Sequence, residues 1–217
     1  MPLNDVLAAM HSVYTSDGAA AVRSQRFIRL LHEYLAGELE RRLSSKGRNR
    51  GIRIGQEVHL FGSHKPKDVD VAVVDPDNGP LLIIGVRSQM SSVGKNALTY
   101  YQDIIGECIS LQQRFPLATY GYVYLHPLKD RDGIEPTHAR YARMYDAITD
   151  RFEGTYRDIQ GKYDHFAYMI VDFESSPPKV RNDKFGVDIE SDLDIETFVD
   201  RMIATFCKRN LWIDIFE

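Results

Sequence analysis

A chain of 217 residues is long enough for one domain with a substantial core, and 43% hydrophobic with 27% charged residues excludes a disordered polymer. The net charge of −4 excludes a general attraction to nucleic acid, so such binding would have to come from a local basic patch. The two cysteines, Cys108 and Cys207, match no zinc-binding or disulfide spacing and predict buried free thiols. No apolar stretch approaches a membrane span and no signal peptide is evident, so we expect a cytoplasmic protein.

The first predicted element is a long amphipathic helix from about Ala20 to Ser44, where apolar residues recur at helical spacing. A basic loop between Gly47 and Gly51 ends it. A short strand is then predicted around Val58.

A hairpin follows, because two apolar runs, Val71–Val74 and Leu81–Ile84, flank the dense turn signal Asp75–Pro80. Beyond it, the pattern predicts a helix from about Gly94 to Arg114, which Phe115-Pro116 ends. Alternating aromatic residues then predict a strand from Ala118 to Leu125.

The C-terminal third predicts a helix over 136–152, a buried strand over 165–173 and a final helix over 195–207. This order of elements implies an α/β fold, with a mixed central sheet and helices on its faces. We find no internal domain boundary. The prediction is therefore one domain over 1–217, with a core at about 20–125 and a C-terminal elaboration at about 126–217.

Polar residues occupy neighbouring ends of the predicted hairpin. Asp70 opens its first strand, and Gly85 and Arg87 close its second strand. Because side chains alternate along a strand, Gly85 and Arg87 share a face. If the register pairs the strands here, Asp70 approaches both residues.

This order of elements and these residues resemble the PD-(D/E)XK nuclease superfamily, over residues 20 to 125. There the first acid begins the second strand, and an acid and a lysine, two residues apart, end the third. Some members continue the lysine into Ser-Gln and then Ser-x-Gly-x-Asn. The matching stretch here is Arg87-Ser88-Gln89-Met90-Ser91-Ser92-Val93-Gly94-Lys95-Asn96.

The resemblance implies a restriction-endonuclease-like core, a mixed central β-sheet flanked by α-helices. It also implies an endonuclease of restriction or phage-defence type that hydrolyses phosphodiester bonds in double-stranded DNA. The implied cofactor is Mg²⁺, with Mn²⁺ as the second candidate. Cutting both strands of a site implies a homodimer.

Two positions depart from the family pattern. Gly85 stands where the family has a carboxylate, which removes a ligand from a cation that prefers oxygen donors. Arg87 stands where it has a lysine, and arginine can clamp a phosphate but stays protonated. We therefore expect Asp70 to hold the metal, Arg87 to stabilise the phosphate, and Gln89 to position groups nearby.

A compensating acid is predicted in the following helix. Asn96, Asp103 and Glu107 fall on one helical face, and some members of the superfamily carry the second acid on this helix. Glu107, beside Gly106, is the preferred ligand and Asp103 the second candidate. An ordinary solvated helix face is the alternative.

Basic and polar side chains near these motifs are the predicted contacts with nucleic acid, because phosphate contacts need local positive charge. An ordinary solvated surface is again the alternative. The predicted contacts are Arg48, Arg50, Arg53, Lys65, Lys67, Lys95 and Asn96.

Two other functions stay open. The chain could be a catalytically inactive nuclease-fold protein that serves as a nucleic-acid-binding or regulatory subunit, with Gly85 marking the lost activity. It could also be a nucleotidyltransferase, because Gly62-Ser63 followed by Asp68 and Asp70 is similar to that signature. Against the second, the gap between Ser63 and Asp68 is short, and no third acid ends the next strand.

Overall fold

The computed structural model describes the backbone of residues 1–23, 25–131, 133–153 and 157–217, and the side chains of these except 17–23, 153 and 157. Its helices are α1 Leu3–Arg23, α2 Arg26–Arg42, α3 Ser45–Asn49, α4 Val93–Arg114, α5 His138–Asp146 and α6 Ile195–Arg209, with a 3₁₀ turn at Asn182–Lys184. Its strands are β1 Arg53–Phe61, β2 Pro66–Asp75, β3 Gly79–Ser88, β4 Thr119–Pro127, β5 Phe152–Glu153, β6 Arg157–Asp158, β7 His165–Asp172 and β8 Lys179–Val180.

Six strands form one open sheet in the order β1-β2-β3-β4-β7-β8, and β5 pairs separately with β6. Strands β1, β2 and β3 are antiparallel, β3, β4 and β7 are parallel, and β8 returns antiparallel to β7. The predicted mixed α/β sheet is confirmed. The strands predicted near Val58, Val71, Ile83 and Tyr122 all lie in it.

Helices cover both faces of the sheet. On one face α1, α2 and α6 bury side chains such as Phe27 and Phe198 against Val71 and Ile84. On the other face α4 and α5 pack on the tyrosine-rich side of β4, so the helix predicted at 94–114 lies across the sheet as expected. Cys108 is a buried free thiol, whereas Cys207 is exposed, contrary to its prediction.

Three helical predictions differ from the structure, and in addition α3 occupies part of the basic loop predicted between Gly47 and Gly51. Helix α1 was not predicted, and the helix predicted over 20–44 is divided between the end of α1 and α2, with residue 24 outside the described residues. Gln25 separates them with a left-handed φ of 62°, which a continuous α-helix does not allow. Helix α5 ends at Asp146, well before Phe152, which begins β5. Among the described helices, none is long and apolar enough to cross a membrane.

The feature that positions the site is a divergence of β2 and β3, here called the fork. Pairing between these two strands ends at Val71↔Ile84. Beyond that pair β2 continues beside β1 to Pro66, and β3 continues beside β4 to Ser88. Beyond that pair, the backbone amide and carbonyl groups of β2 and β3 therefore no longer hydrogen-bond to each other, and a gap separates the two strands.

Candidate functional site

Asp70 occupies the fork. Its Oδ2 accepts a hydrogen bond from the Val86 amide at 2.6 Å, which satisfies a donor that has left the β2–β3 ladder. Burial raises the pKa of Asp70 from 3.8 to about 6, although the Val86 hydrogen bond and the charge of Lys67 act against it. The fork therefore holds a carboxyl group for which the cost of burying its negative charge exceeds the stabilisation from this hydrogen bond and this cation.

His32 of α2 lies against this carboxyl group. Its Nε2 is 3.7 Å from Asp70 Oδ1, and only 2% of its side chain is exposed. Neither ring nitrogen has a hydrogen-bond partner among the described residues. Burial, followed by the charge of Arg29, lowers the pKa of His32 to about 4, so the imidazole is neutral at pH 7.

Glu57 of β1 completes the group. The flanking pairs Gln56↔Val71 and Val58↔Val69 leave Glu57 opposite Asp70, and Glu57 has a φ of 51°. Its Oε1 lies 3.3 Å from His32 Nδ1. One potential ligand atom from each of the three residues lies within 4.8 Å of the other two. A neutral imidazole and two carboxylates are a donor set that suits a divalent cation.

Glu107 of α4 approaches the fork from the opposite face. Its Oε1 pairs with Lys67 Nζ at 2.9 Å, so the carboxylate is already matched by an ammonium group. The cavity that Glu107 shares with Asp70 is about 20 Å³, which is room for about one water molecule. The cleft on the α2 side, with His32, measures about 240 Å³. Space for a hydrated cation or a phosphate therefore lies on the His32 side.

The Tyr122 ring packs against Gly85, the position at which the resemblance would place an acid. Gly85 pairs with Tyr122 in the β3–β4 ladder. A Cβ atom at Gly85 would lie 2.5 and 2.6 Å from two carbons of the Tyr122 ring. The ring therefore fills the space that a carboxylate at position 85 would need.

Arg87 lines the same cleft as Asp70, together with Lys67, Ser88 and His32, and we call this space the fork cleft. Its guanidinium lies 4.6 Å from the centre of the Tyr100 ring, and its buried Nη1 has no hydrogen-bond partner among the described residues. Burial lowers the pKa of Arg87, but the neighbouring acidic groups, Tyr122 first, outweigh burial and raise it. Arg87 is therefore a permanent cation with a free donor.

The other acid and amide predicted for the site, Asp103 and Gln89, belong neither to the ligand group around Asp70 nor to the lining of the fork cleft among the described residues. Gln89 is buried, its Nε2 donates to the carbonyls of Ser92 and Val93, and its Oε1 accepts from Tyr124. This amide secures the start of α4. Asp103 is exposed on α4, and it is absent from the three-residue ligand group found among the described residues.

Asp68, the second acid of the nucleotidyltransferase alternative, pairs with His59 and does not line the fork cleft. Its Oδ1 lies 2.6 Å from His59 Nδ1, and 62% of its side chain is exposed. Asp70, two residues later, bonds instead to Val86 inside the fork. Within the described residues, the ligand group around Asp70 does not include Asp68.

Several of the basic side chains that were predicted to contact nucleic acid form ion pairs with carboxylates. Arg48 pairs with Glu40 at 3.3 Å, and Arg50 pairs at 2.7 Å with Asp75, whose side chain is fully buried. The neighbouring bases of the same segment are paired as well: Arg41 and Arg42 with Glu38, and Lys46 with Asp214. Of the other predicted contacts, Lys67 lines the fork cleft, and four are exposed: Arg53, Lys65, Lys95 and Asn96.

Replacing Arg50 with alanine is expected to lower the free energy of unfolding by about 1–3 kcal/mol, because it leaves Asp75 buried without its cation. Arg53→Ala is the matched control, since Arg53 is exposed, and we expect a change within about 0.5 kcal/mol. Urea unfolding of the two variants measures the difference. Equal stabilities would show that the Arg50–Asp75 pair contributes nothing.

A comparison with models of known protein families finds no match, and a search of curated proteins finds no significant match either. The chemistry must therefore be argued from the fork. Sequence reasoning identified Asp70, Arg87, Lys67 and Glu107, which the fold brings to the fork from β2, β3 and α4. It missed two residues, His32 and Glu57. The available signal for His32 was a histidine on the apolar face of a predicted helix, which is also common in ordinary cores.

Proposed function

We propose that this protein is a metal-dependent DNA endonuclease of the restriction-endonuclease-like fold, which hydrolyses phosphodiester bonds in double-stranded DNA. The observation that carries the proposal is the group formed by Asp70, His32 and Glu57 at the fork. The family resemblance assigns the metal to the first acid of the hairpin, which is Asp70, although β2 begins four residues earlier at Pro66. The other two ligand groups come from His32 on α2 and Glu57 on β1.

The topology supports the same proposal. Three antiparallel strands, a helix that crosses the sheet and a parallel strand follow one another in the order of the family core. The fork lies at the end of β3, where the family places its acid and lysine. A shared topology supports a fold and not an activity, so the side chains at the fork must carry the chemistry.

The donor set indicates which ion fits. Both buried ring nitrogens of His32 lack a hydrogen-bond partner among the described residues, and a ligand role would satisfy one of them. Imidazole nitrogen suits Mn²⁺ better than Mg²⁺, which prefers oxygen donors throughout. We therefore propose Mn²⁺ as the better ion, held by His32, Glu57 and Asp70. When bound, such a cation supplies positive charge to phosphate oxygens and acidifies water.

The chain's own cations complete the proposed site. Arg87 lines the fork cleft as a cation, and a guanidinium suits a non-bridging phosphate oxygen. Lys67 lies in the same cleft, where its ammonium can orient water or neutralise charge on the phosphate. Glu107 holds Lys67 in place through its ion pair. In this arrangement Glu107 acts through Lys67 and not as the ligand that the sequence predicted.

The test is cleavage of plasmid DNA by the purified protein in Mn²⁺, in Mg²⁺ and in EDTA. We expect cleavage with Mn²⁺ at least as fast as with Mg²⁺, and none in EDTA. Glu57→Gln and His32→Asn should each reduce cleavage about 10- to 100-fold, because each replaces a strong ligand with a neutral amide that binds a divalent cation less well. Glu33→Gln is the matched control, since Glu33 is the exposed neighbour of His32 on α2. Cleavage that is equal in EDTA, or unchanged in both ligand variants, would contradict the proposal.

A second candidate is a nucleic-acid-binding or regulatory subunit without catalysis. The observation that favours it is the Tyr122 ring, which occupies the place of the family's second acid beside Gly85. The same experiment separates the two candidates, because such a subunit would bind DNA and leave it intact in both metals. The homodimer stays a prediction, which sedimentation of the protein with and without DNA would test.

A further inference from the structure

A second cleft opens next to the fork cleft, at the carboxyl ends of β4 and β7. We call it the α1 cleft, and its volume is about 290 Å³. Helix α1, the segment after β4 and the end of β7 line it, together with Met90. Met90 follows Ser88 of the fork cleft by two residues, so the linings of the two clefts approach within about 7 Å of each other at this point of the chain.

Aromatic rings form one wall of the α1 cleft. The centroids of the His11 and Phe173 rings are 6.5 Å apart with an angle of 10°, and those of Tyr14 and Phe173 are 6.1 Å apart at 29°. The Arg131 guanidinium lies 5.1 Å from the Tyr14 ring centre, and its Nε donates to the Tyr14 hydroxyl at 3.0 Å. All four side chains reach solvent. Rings and a planar guanidinium are the groups on which nucleobases stack.

The charges around the α1 cleft oppose a phosphate as its occupant. Lys129 pairs with Glu174 at 2.9 Å, and Asp172 lies 3.9 Å from Arg181. Asp130 lines the cleft as well, so carboxylates offset the nearby cations. A cleft of this kind attracts an uncharged planar group more than an anion.

We propose that the α1 cleft binds an unpaired nucleobase of the DNA strand whose phosphate lies in the fork cleft. This inference rests on the proposed nuclease function and narrows its substrate. The base must leave the double helix to reach the rings, so the substrate would carry an unpaired nucleotide beside the bond that is cut. A duplex with a single-stranded flank meets that requirement without unpairing, whereas a blunt, fully paired duplex or a plasmid must first expose a base at a cost in free energy.

The test uses a short DNA duplex with a single-stranded flank that contains the fluorescent base 2-aminopurine, in EDTA to prevent cleavage. Stacking on an aromatic ring quenches this base. We expect the native protein to quench the flanked duplex and to bind it about 5- to 100-fold more tightly than the blunt duplex. Tyr14→Leu and Arg131→Gln should remove the quenching and most of the preference. Tyr14→Phe, which keeps the ring, should retain the quenching, as should Arg140→Gln, an exposed arginine on α5.

Thermal unfolding of each variant separates loss of stacking from loss of the fold, and the exposed Arg131 carries the test if Tyr14→Leu unfolds. Quenching by Tyr14→Leu and Arg131→Gln that equals the native level would overturn the inference, as would equal affinity for flanked and blunt duplexes. Cleavage without quenching overturns this inference alone. Quenching without cleavage in any metal overturns the nuclease proposal and leaves the base-binding cleft standing.

Discussion

Asp70→Asn is expected to abolish DNA cleavage and, at the same time, to stabilise the cation-free protein at neutral pH. The loss of activity follows from the central position of Asp70, which is the acid shared by the ligand group and the fork cleft. Asparagine keeps the volume and an oxygen that can accept from Val86. It lacks the charge that a divalent cation requires. We expect a loss of at least about 100-fold in cleavage rate.

The gain in stability follows from the pKa of Asp70, which burial raises from 3.8 to about 6. Below pH 3.8 the group is protonated in both the folded and the unfolded chain. As the pH rises towards 6 the unfolded chain releases this proton first, so the native protein loses stability until the folded group has ionised as well. At about 1.4 kcal/mol per pKa unit, the full loss above pH 6 is at most about 3 kcal/mol. Asp70→Asn removes this loss, so we expect a gain of about 1–3 kcal/mol at pH 8.

Urea unfolding in EDTA at pH 5 and pH 8 measures this effect. The advantage of Asp70→Asn over the native protein should be larger at pH 8 than at pH 5. Asp68→Asn is the matched control, because Asp68 is exposed on the same strand, and we expect a change within about 0.5 kcal/mol at both pH values. A variant that is less stable than the native protein at pH 8, or that still cleaves DNA, would contradict this account of the fork.

The central sheet could be predicted because its signals are local. A hairpin is predicted from local sequence alone by the apolar runs around Val71 and Ile83 and by the turn signal between them. The start of α4 was also predictable to within a residue. Helix α1 could not be predicted in this way, because the periodic pattern of its apolar residues is weaker. Its apolar face is stabilised only by packing on α2 and the sheet.

The ligand group depends on contacts that a sequence does not display. Glu57 reaches Asp70 only through the β1–β2 register, and His32 reaches it only because α2 packs over the fork. Two ion pairs of the basic segment are hidden from the sequence for a related reason, because their carboxylates are distant along the chain. Asp75 is 25 residues from Arg50, and Asp214 is 168 residues from Lys46. Clustered charges in a sequence therefore predict a patch only when their carboxylate partners are known.

Gly85→Glu, which introduces an acid where the resemblance would place one, is expected to destabilise the protein severely and to add no cleavage. The new Cβ would lie 2.5 Å from the Tyr122 ring. That ring is held between Tyr163 and Phe166, with centroids 5.3 and 5.4 Å away, so it has little room to move. Overpacking of this kind costs about 1–3 kcal/mol, and a buried carboxylate without a partner adds several more. We expect a total loss of at least about 3 kcal/mol.

Two further variants separate the steric part of this loss from the electrostatic part. Gly85→Ala adds only the Cβ, so it should cost about 1–3 kcal/mol, and the cost should shrink when Tyr122→Leu removes the ring. Gly106→Ala is the control, because a Cβ there meets open space within α4, and it should raise stability by about 0.5–1 kcal/mol. Urea unfolding gives all these values. A Gly85→Glu protein that is as stable as the native one and cleaves DNA faster would mean that the Tyr122 ring leaves its place readily. The new carboxylate on β3 could then hold the cation, and the proposal that His32 and Glu57 hold it would fail.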